Sequence, residues 1–198
     1  MFYKIILYFT FLNIFLSSHS KVNPPQFSKG HTRVYFYDRK SHPENFEFSN
    51  FYPRDAWYKG TFYKTAEHAY QAQKFNYTPI DPSLIAEVNR AYYHVVSAPT
   101  PRLASELADK YRNFAVPSWH KADETGNKLK DKVMFEILKD KFTRHKDLQN
   151  KLLETEDARL VEDSKIDSYW GRGLDGKGKN QLGRLLMKIR KDIRNGNY

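Results

Sequence analysis

The sequence contains no cysteine among its 198 residues. This absence excludes a disulfide framework, a thiolate nucleophile and any metal site built on cysteine. Stability must therefore come from a hydrophobic core, and the chain is long enough to bury one in a single domain of ordinary size.

Long apolar runs are equally scarce. The longest, residues 5–16, follows Lys4 and precedes small residues, and it is roughly half the length that spans a bilayer. This pattern predicts a cleaved signal peptide over residues 1–20. We therefore expect a secreted or secretory-pathway protein with no stable membrane insertion after cleavage, or an intracellular one if the signal is not used.

The rest of the chain shows no interdomain linker and no internal repeat. Residues 21–31, with Pro24 and Pro25, are expected to form an extended lead-in, and residues 32–198 a single domain. An acceptor for an N-glycan occurs at Asn76, two residues before Thr78, and a glycan there is expected if the chain enters a glycosylating compartment.

No long tract of one charge sign occurs, although 33 Lys and Arg against 23 Asp and Glu give a net charge of +10. Such a surface attracts anions, but a spread of basic residues also serves solubility. Both interpretations stay open. The aromatic content of 16% suits stacking on flat rings.

The predicted fold class is α+β and helix-dominated. Residues 34–37 and 57–63, with Phe46 and Phe48 alternating with acidic residues, predict a small antiparallel sheet near the N-terminus. Apolar spacing then predicts about six helices, with starts near residues 65, 82, 101, 129, 147 and 180. Four of them have a capping residue in the sequence: Thr65, Thr100, Asp147 and Asn180.

One face of the helix after Thr65 is polar. Glu67, Tyr70, Gln71 and Lys74 have the spacing i, i+3, i+4 and i+7 and share that face. A carboxylate in the first turn of a helix suits charge stabilisation or water activation. The alternative is that it only stabilises the helix, because the helix dipole favours an acid at that position. Lys74 could contact phosphate, act as an amine nucleophile once desolvated, or simply be solvated.

Metal chemistry has little support in the sequence. His68 has no second histidine at ligand spacing and belongs to no His-Glu-x-x-His pattern. A packed or capping histidine is the expected role. We predict neither a metal nor a cofactor.

A glycine-rich loop precedes the last predicted helix. Gly171, Gly173 and Gly176 match G-x-G-x-x-G, but too little chain remains for a Rossmann unit. Backbone N–H groups of such a loop can cradle an anion, assisted by the charges of Arg172, Lys177 and Lys179. A merely tight turn is the alternative.

Carboxylates and tryptophans precede this loop. Asp167 and Trp170 are three residues apart, and Trp119 lies in a separate connection. Tryptophan in a loop can stack on a base, although core packing is its commoner fate. Glu67, Glu162 and Asp167 are candidates for glycosidic chemistry, which needs a sugar cation stabilised and a water activated.

Several motifs, taken in order and spacing, resemble the YbiA-like NADAR family over residues 33–194. They are Phe48-Ser49-Asn50-Phe51, Glu67-His68, Gln71-Ala72-Gln73-Lys74-Phe75, Trp119, Lys141-Phe142, Leu160-Val161-Glu162, Asp167-x-x-Trp170-Gly171, and Gly176-x-Gly178-x-Asn180-x-Leu182-Gly183 with Leu186-Met187 and Arg190. The resemblance implies an N-glycosidase of mixed helices and a small sheet. It also implies substrates such as phosphorylated riboflavin-pathway intermediates or ADP-ribose on guanine, in nucleic acid as well as in small molecules.

The family's Glu, Trp, Asp and Trp site positions correspond to Glu67, Trp119, Asp167 and Trp170. We therefore expect Glu67, Asp167 and Lys74 to be catalytic. The expected substrate-binding residues are Asn50, Phe51, Gln71, Trp119, Glu162, Trp170, Gly171, Arg172, Gly178, Asn180 and Gly183.

The hypothesised mechanism has Asp167 or Glu67 stabilise the sugar cation or activate water. Trp119 and Trp170 would stack on the base, while Lys74, Arg172 and the glycine loop would hold phosphate. Two other classes remain: a non-catalytic module that binds ADP-ribose or a nucleotide, and a basic nucleic-acid binder whose affinity falls steeply with salt.

Overall fold

A computed structural model describes residues 32–197 of the chain. The predicted signal peptide and the whole of the predicted lead-in lie outside the described residues. Within these residues no helix is long and apolar enough to cross a membrane.

Two small sheets, each of two strands, are present in the described part of the chain. Strand β1, Arg33–Phe36, pairs in parallel with β4, Arg159–Glu162, so that chain segments far apart in sequence lie side by side. Strands β2, Ala56–Tyr58, and β3, Thr61–Tyr63, form an antiparallel hairpin. Their two-residue turn has positive φ at both positions, 47° at Lys59 and 83° at Gly60, as a tight hairpin turn requires.

Six α-helices form most of the regular secondary structure in residues 32–197. They are α1, Ala66–Ala72; α2, Ile85–Ser97; α3, Pro101–Lys110; α4, Leu129–Arg144; α5, Lys146–Glu154; and α6, Gln181–Arg194. Two predicted caps are confirmed, because Thr65 accepts a hydrogen bond from the N–H of His68 and Thr100 one from that of Leu103. These oxygens satisfy N–H groups that the first turn would leave without a partner.

The core forms around α4, which contacts β2, α1, α5 and α6. Ile137, Leu138 and Phe142 of this helix are fully buried. Phe48 links the helix to the parallel sheet, with ring centroids 6.1 Å from Phe142 and 5.9 Å from Phe36. Burial of such side chains is the main stabilising contribution in a chain without disulfides.

The helix-dominated α+β class is confirmed, whereas two details of the predicted sheet are wrong. Residues Pro43–Phe48 form a 3₁₀ helix, since Pro43 at its start supplies no N–H for a strand ladder. The strand at residues 33–36 joins β4 in parallel and does not join the hairpin. Asp147 lies inside the first turn of α5, and His145 takes the capping position.

Candidate active site

Three carboxyl groups from two distant parts of the sequence lie close together. Glu67 is in the first turn of α1, Glu162 ends β4, and Asp167 follows in the next loop. Burial, and then the nearby carboxylates of Asp167 and Glu67, raise the pKa of Glu162 to about 8. Burial also raises the pKa of Glu67. A shared, desolvated acid cluster is a recurrent feature of hydrolase sites.

Glu67 is held by groups on both sides. Its backbone N–H donates to the carbonyl oxygen of Asn50 at 3.1 Å, and its Oε1 accepts from Nε2 of Gln71 at 2.7 Å. That amide also lies 3.3 Å from the hydroxyl of Ser105 in α3. The predicted helix face is confirmed for this pair, because Gln71 is one turn after Glu67 and binds it directly.

The side chain of Asn180 holds the backbone of Glu162 in place. Oδ1 of Asn180 accepts the N–H of Glu162 at 2.9 Å, and its Nδ2 donates to the carbonyl oxygen of Leu160 at 2.8 Å. Asn180 takes the position before α6 with a left-handed φ of 50° and makes no side-chain cap. The predicted capping bond is therefore absent, because its side chain is committed to β4.

The Asp167 carboxylate organises the following turn. Its Oδ1 accepts the N–H groups of Tyr169 and Trp170, each at 2.7 Å. Within residues 32–197 its Oδ2 has no hydrogen-bond donor, and neither has Oε2 of Glu162, which is buried. Buried or half-buried acceptors without donors are available to a substrate.

An aromatic wall formed by Tyr70, Trp119 and Trp170 borders the carboxyl groups. The Tyr70 ring lies between the other two, with centroid distances of 5.2 Å to Trp119 and 5.5 Å to Trp170. Trp119 is only 2% exposed and therefore packs behind Tyr70, whereas the sequence predicted that it would stack on a base. Trp170 is half-buried and keeps part of its ring accessible.

Lys74 lies two residues beyond the end of α1, on the side of its polar face. Its Nζ lies 5.9 Å from the centroid of the Tyr70 ring. Burial lowers the pKa of Lys74, while attraction to Glu67 and Asp109 acts in the opposite direction. The predicted proximity of Glu67, Gln71 and Lys74 is thus present, with the helix face turned into the protein.

The glycine-rich loop does not offer the predicted anion cradle. Most of its N–H groups donate within the chain: those of Arg172, Gly173, Gly176, Gly178, Lys179 and Asn180 to carbonyl oxygens, and that of Lys177 to Asp175. The Arg172 guanidinium is paired with Asp163. Donors already engaged cannot receive a phosphate without breaking these bonds.

The glycines of the predicted site allow close backbone packing. A Cβ at Gly178 would lie 2.5 Å from the carbonyl oxygen of Gly171, and one at Gly171 would lie 2.7 Å from Cβ of Ser164. At Gly183 it would lie 2.3 Å from the carbonyl oxygen of Leu160. Gly183 therefore lets α6 approach β4, the strand that ends at Glu162.

Two further predicted residues belong to the loop before the hairpin. Asn50 is buried, donates to Sδ of Met134 at 3.4 Å, and has an Oδ1 without a donor in the described part of the chain. Phe51 is half-buried, and its N–H contacts Oγ of Ser49 at 3.2 Å. Asn50 therefore reaches the site through Glu67, while no described contact links Phe51 to the carboxyl groups.

Sequence reasoning missed Ser105, Lys130 and Tyr169 as neighbours of the site. Tyr169 stands inside the Asp167 to Trp170 motif and could have been noticed there, since its ring lies 5.2 Å from that of Trp170. Ser105 and Lys130 come from helices whose packing no local pattern reveals. His68 is buried between Thr65 and the carbonyl oxygen of Ala98, and residues 32–197 contain no group of three or more ligating side chains suited to a metal.

The sequence matches the model of the NADAR domain over residues 35–194. It is 37% identical over 147 residues to N-glycosidase YbiA of Shigella flexneri, covering 74% of this chain and 81% of that protein. An N-glycosidase of Nostoc punctiforme is 36% identical over 148 residues, covering 75% and 85%. A riboflavin biosynthesis protein of Vibrio vulnificus is 33% identical over 161 residues, covering 81% of this chain and 38% of that protein.

A solved structure has a similar fold. The NMR structure of the Escherichia coli protein YbiA matches with a TM-score of 0.66 and 31% sequence identity. The match covers 87% of this chain and 90% of that one. The helices and small sheets that assemble the carboxyl cluster lie within the matched family domain.

Proposed function

The chain belongs to the NADAR domain family and is an N-glycosidase, and we propose that it hydrolyses the bond between a ribosyl, phosphoribosyl or ADP-ribosyl group and a nitrogenous base or amine. The observation that carries this proposal is the cluster of Glu67, Glu162 and Asp167 beside an aromatic wall. Cleavage of a glycosidic bond needs a proton donor, an anion near the sugar cation and a flat surface for the leaving group.

Glu162 is the proton donor in this proposal. Because its pKa is about 8, the carboxyl group of Glu162 is protonated in most molecules at neutral pH. Its Oε2 has no hydrogen-bond partner in the described residues. As the bond from C1′ to nitrogen breaks, the electron pair goes to nitrogen, and the Glu162 proton follows. A carboxylic acid kept neutral by burial is suited to this task.

Asp167 provides the anion. Its Oδ1 is fixed by two N–H groups while Oδ2 stays open, so it can stabilise the positive charge at C1′ and accept a proton from the attacking water. The water oxygen bonds to C1′, which yields the free sugar and the free base. Glu67, in the first turn of α1, and the neighbouring amine of Lys74 are assigned to the sugar hydroxyls.

The leaving base is assigned to the exposed part of Trp170. Tyr70 supports that ring from the edge at an interplanar angle of 86°, and Trp119 supports Tyr70 from behind. Stacking of one base on an aromatic side chain contributes about 1–3 kcal/mol in single-stranded nucleic-acid sites. Trp119 thus acts on the base through Tyr70.

One experiment tests the activity and the substrate class together. The purified protein is incubated with riboflavin-pathway ribosylamines, ADP-ribosylated guanine in DNA, NAD and ADP-ribose, and products are identified by mass spectrometry. We expect a free base or amine and a free sugar from at least one N-ribosyl compound. The name of the Vibrio relative favours the ribosylamines as the first compounds to try.

Release of product must depend on the carboxyl cluster. Glu162→Gln and Asp167→Asn should each abolish most of the release, whereas Glu154→Gln, a change at an exposed carboxylate of α5, should not. Calorimetric binding of ADP-ribose without release of a base from any compound would instead indicate a non-catalytic binding module.

We also propose that residues 1–20 direct the chain into the secretory pathway, on the strength of the short apolar run after Lys4. N-terminal sequencing of the protein from expressing cells should then begin at Lys21. Asn76 is exposed, and its Nδ2, which would carry the glycan, donates to Oε1 of Gln73 at 3.1 Å, so glycosylation would replace one hydrogen of this amide, and the glycan is expected to project outward. Loss of mass on endoglycosidase treatment, absent in Asn76→Gln, would confirm it.

A further inference from the structure

Three lysine side chains surround the ring of Tyr169, next to the aromatic wall. Nζ of Lys130 lies 3.2 Å from the ring centroid, and those of Lys128 and Lys179 each lie 5.2 Å from it. Attraction to the ring face holds the amines in place. Burial lowers the pKa of Lys130, and the amines of Lys128 and Lys179 lower it further, against attraction to Asp131 and Asp167.

The carboxylates of Asp131 and Asp167 attract Lys130 but are not hydrogen-bonded to these three amines. Within residues 32–197 none of the amines makes an ion pair or a side-chain hydrogen bond, whereas nearby Lys132 is paired with Asp123 and Arg172 with Asp163. Lys130 is only 7% exposed. An anion could therefore bind these amines without displacing an acceptor from within the chain.

The backbone adds positive potential at the same place. Lys128 precedes α4 and Lys130 lies in its first turn, where the helix dipole favours acids over lysines. Asp131 is the acidic residue of that turn, and both its oxygens accept from the hydroxyl of Tyr169 at 2.7 Å. Its charge is therefore shared with Tyr169.

This cluster adjoins the carboxyl groups of the candidate active site. Tyr169 is the neighbour of Trp170, and the N–H groups of both are bound by Asp167. Burial lowers the pKa of His120, and the charges of Lys130, Lys74 and Lys128 lower it further, so Lys74 lies on the same side of the site as the cluster. A positive rim thus extends along one side of the site.

We propose that Lys128, Lys130 and Lys179 bind the phosphate group of the glycosyl substrate, with Lys130 as the central contact. The proposal rests on the proposed function, and it names the side chains that would contact the phosphate of the phosphorylated substrates that the family resemblance implies. Phosphate oxygens would accept hydrogen bonds from amines that now lack an acceptor, as lysine commonly provides for phosphate. Tyr169 holds the amines and sets the distance from phosphate to the stacked base.

The first test compares one ribosylamine with and without its 5-phosphate, together with an ADP-ribosyl compound. We expect Lys130→Met to reduce the preference in kcat/KM for the phosphorylated ribosylamine by about tenfold or more, the effect of one charge-assisted hydrogen bond. Lys132→Met, on the same helix and paired with Asp123, removes the same charge and should leave the preference within about twofold. A parallel loss for the ADP-ribosyl compound would show that a diphosphate uses the same amines.

A second readout does not depend on turnover. Pyrophosphate is titrated into the full protein, and tryptophan fluorescence reports binding near Trp170. We expect saturable binding that weakens with ionic strength and weakens at least about tenfold in Lys130→Met but not in Lys132→Met.

The two readouts separate the subsite from the reaction. Pyrophosphate binding lost in Lys130→Met, without base release by the unaltered protein, would support the subsite and overturn the proposed function. Base release with an unaltered preference for phosphate in both Lys130→Met and the double variant Lys128→Gln/Lys179→Gln would overturn the subsite alone.

Discussion

A buried carboxyl group and a buried amine lie in different regions of this protein, and both have a pKa near neutrality. The pKa of Glu162, at the end of β4, is raised to about 8 by burial and by the carboxylates of Asp167 and Glu67. The pKa of Lys141, within α4, is lowered to about 7 by burial and by Arg54, against attraction to Glu47. The two regions differ in how each group is bound.

Lys141 is fully buried, and its amine donates to the carbonyl oxygens of Glu47 and Ser49, each at 2.8 Å. These bonds hold the loop that leads to Asn50. Glu162, in contrast, has a buried Oε2 without any donor in the described residues and carboxyl groups for neighbours. A buried ionisable group with matched partners stabilises a fold, whereas one left without a partner is available for chemistry.

The largest effect is expected when the catalytic region is changed. Glu162→Gln keeps the shape of the side chain but removes the proton that the leaving nitrogen needs. We expect kcat for an N-ribosyl substrate to fall about 10²–10⁴-fold, with the free energy of unfolding at pH 7 unchanged or raised. Single-turnover assays and urea denaturation measure both. A kcat within about threefold of the original protein would remove Glu162 from the role of proton donor.

The next largest effect is expected at Lys141. Lys141→Met leaves the carbonyl oxygens of Glu47 and Ser49 without a donor, so we expect the free energy of unfolding to fall by about 2–4 kcal/mol. Lys139→Met, on the same helix but partly exposed, should change it by less than about 0.5 kcal/mol. Urea denaturation measures both variants.

The contrast between a structural Lys141 and a catalytic Glu162 would be wrong if the Lys141→Met variant kept its free energy of unfolding but lost its turnover. In that case Lys141 would belong to the reaction. We expect the folded fraction of this variant to retain kcat within about fivefold, because Lys141 reaches the site only through the loop before Asn50.

The sequence was sufficient to predict most of the helices and one half of the site. Thr65 and the polar residues that follow it are local signals, so the helix that holds Glu67, Gln71 and Lys74 could be predicted from spacing alone. Asp167 and Trp170 could be paired because they are three residues apart. Each of these features depends on contacts within a few residues.

What the sequence could not predict depends on contacts between distant segments. The parallel pairing of β1 with β4 and the burial of Trp119 behind Tyr70 have no local pattern. The glycine loop had the composition of a phosphate cradle, but its N–H groups are used within the chain. Lys130 lies in an ordinary charged helix start, and only the fold brings it to Tyr169.

The pH dependence of the reaction should report the acid cluster. Because Glu162 donates a proton and its pKa in the substrate-free protein is about 8, kcat/KM should decline above pH 8, by about tenfold per pH unit. Glu162→Gln should lose this alkaline decline along with most of its activity. A decline that persists in that variant would indicate a different titrating group, such as the Lys74 amine, and Lys74→Met would then remove it.

The smallest expected effect concerns stability, where the two regions should respond to pH with opposite sign. The pKa of Glu162 is raised from 4.5, so its favourable contribution is fully present below about pH 4.5 and is lost as pH rises towards 8. The pKa of Lys141 is lowered from 10.5, so between about pH 7 and 10.5 the unfolded chain binds more protons and stability rises with pH. Each slope has an upper limit of about 1.4 kcal/mol per pH unit.

Differences between variants isolate these two slopes from the other titrating groups. Stability of the original protein relative to Glu162→Gln should decrease from pH 5 to 8, and stability relative to Lys141→Met should increase from pH 7 to 10. Urea denaturation at intervals of one pH unit is sufficient. If stability relative to Glu162→Gln did not decrease from pH 5 to 8, Glu162 would be ionised at neutral pH in the folded protein. The proton for the leaving nitrogen would then have to come from Glu67, the other carboxyl group of the cluster whose pKa burial raises.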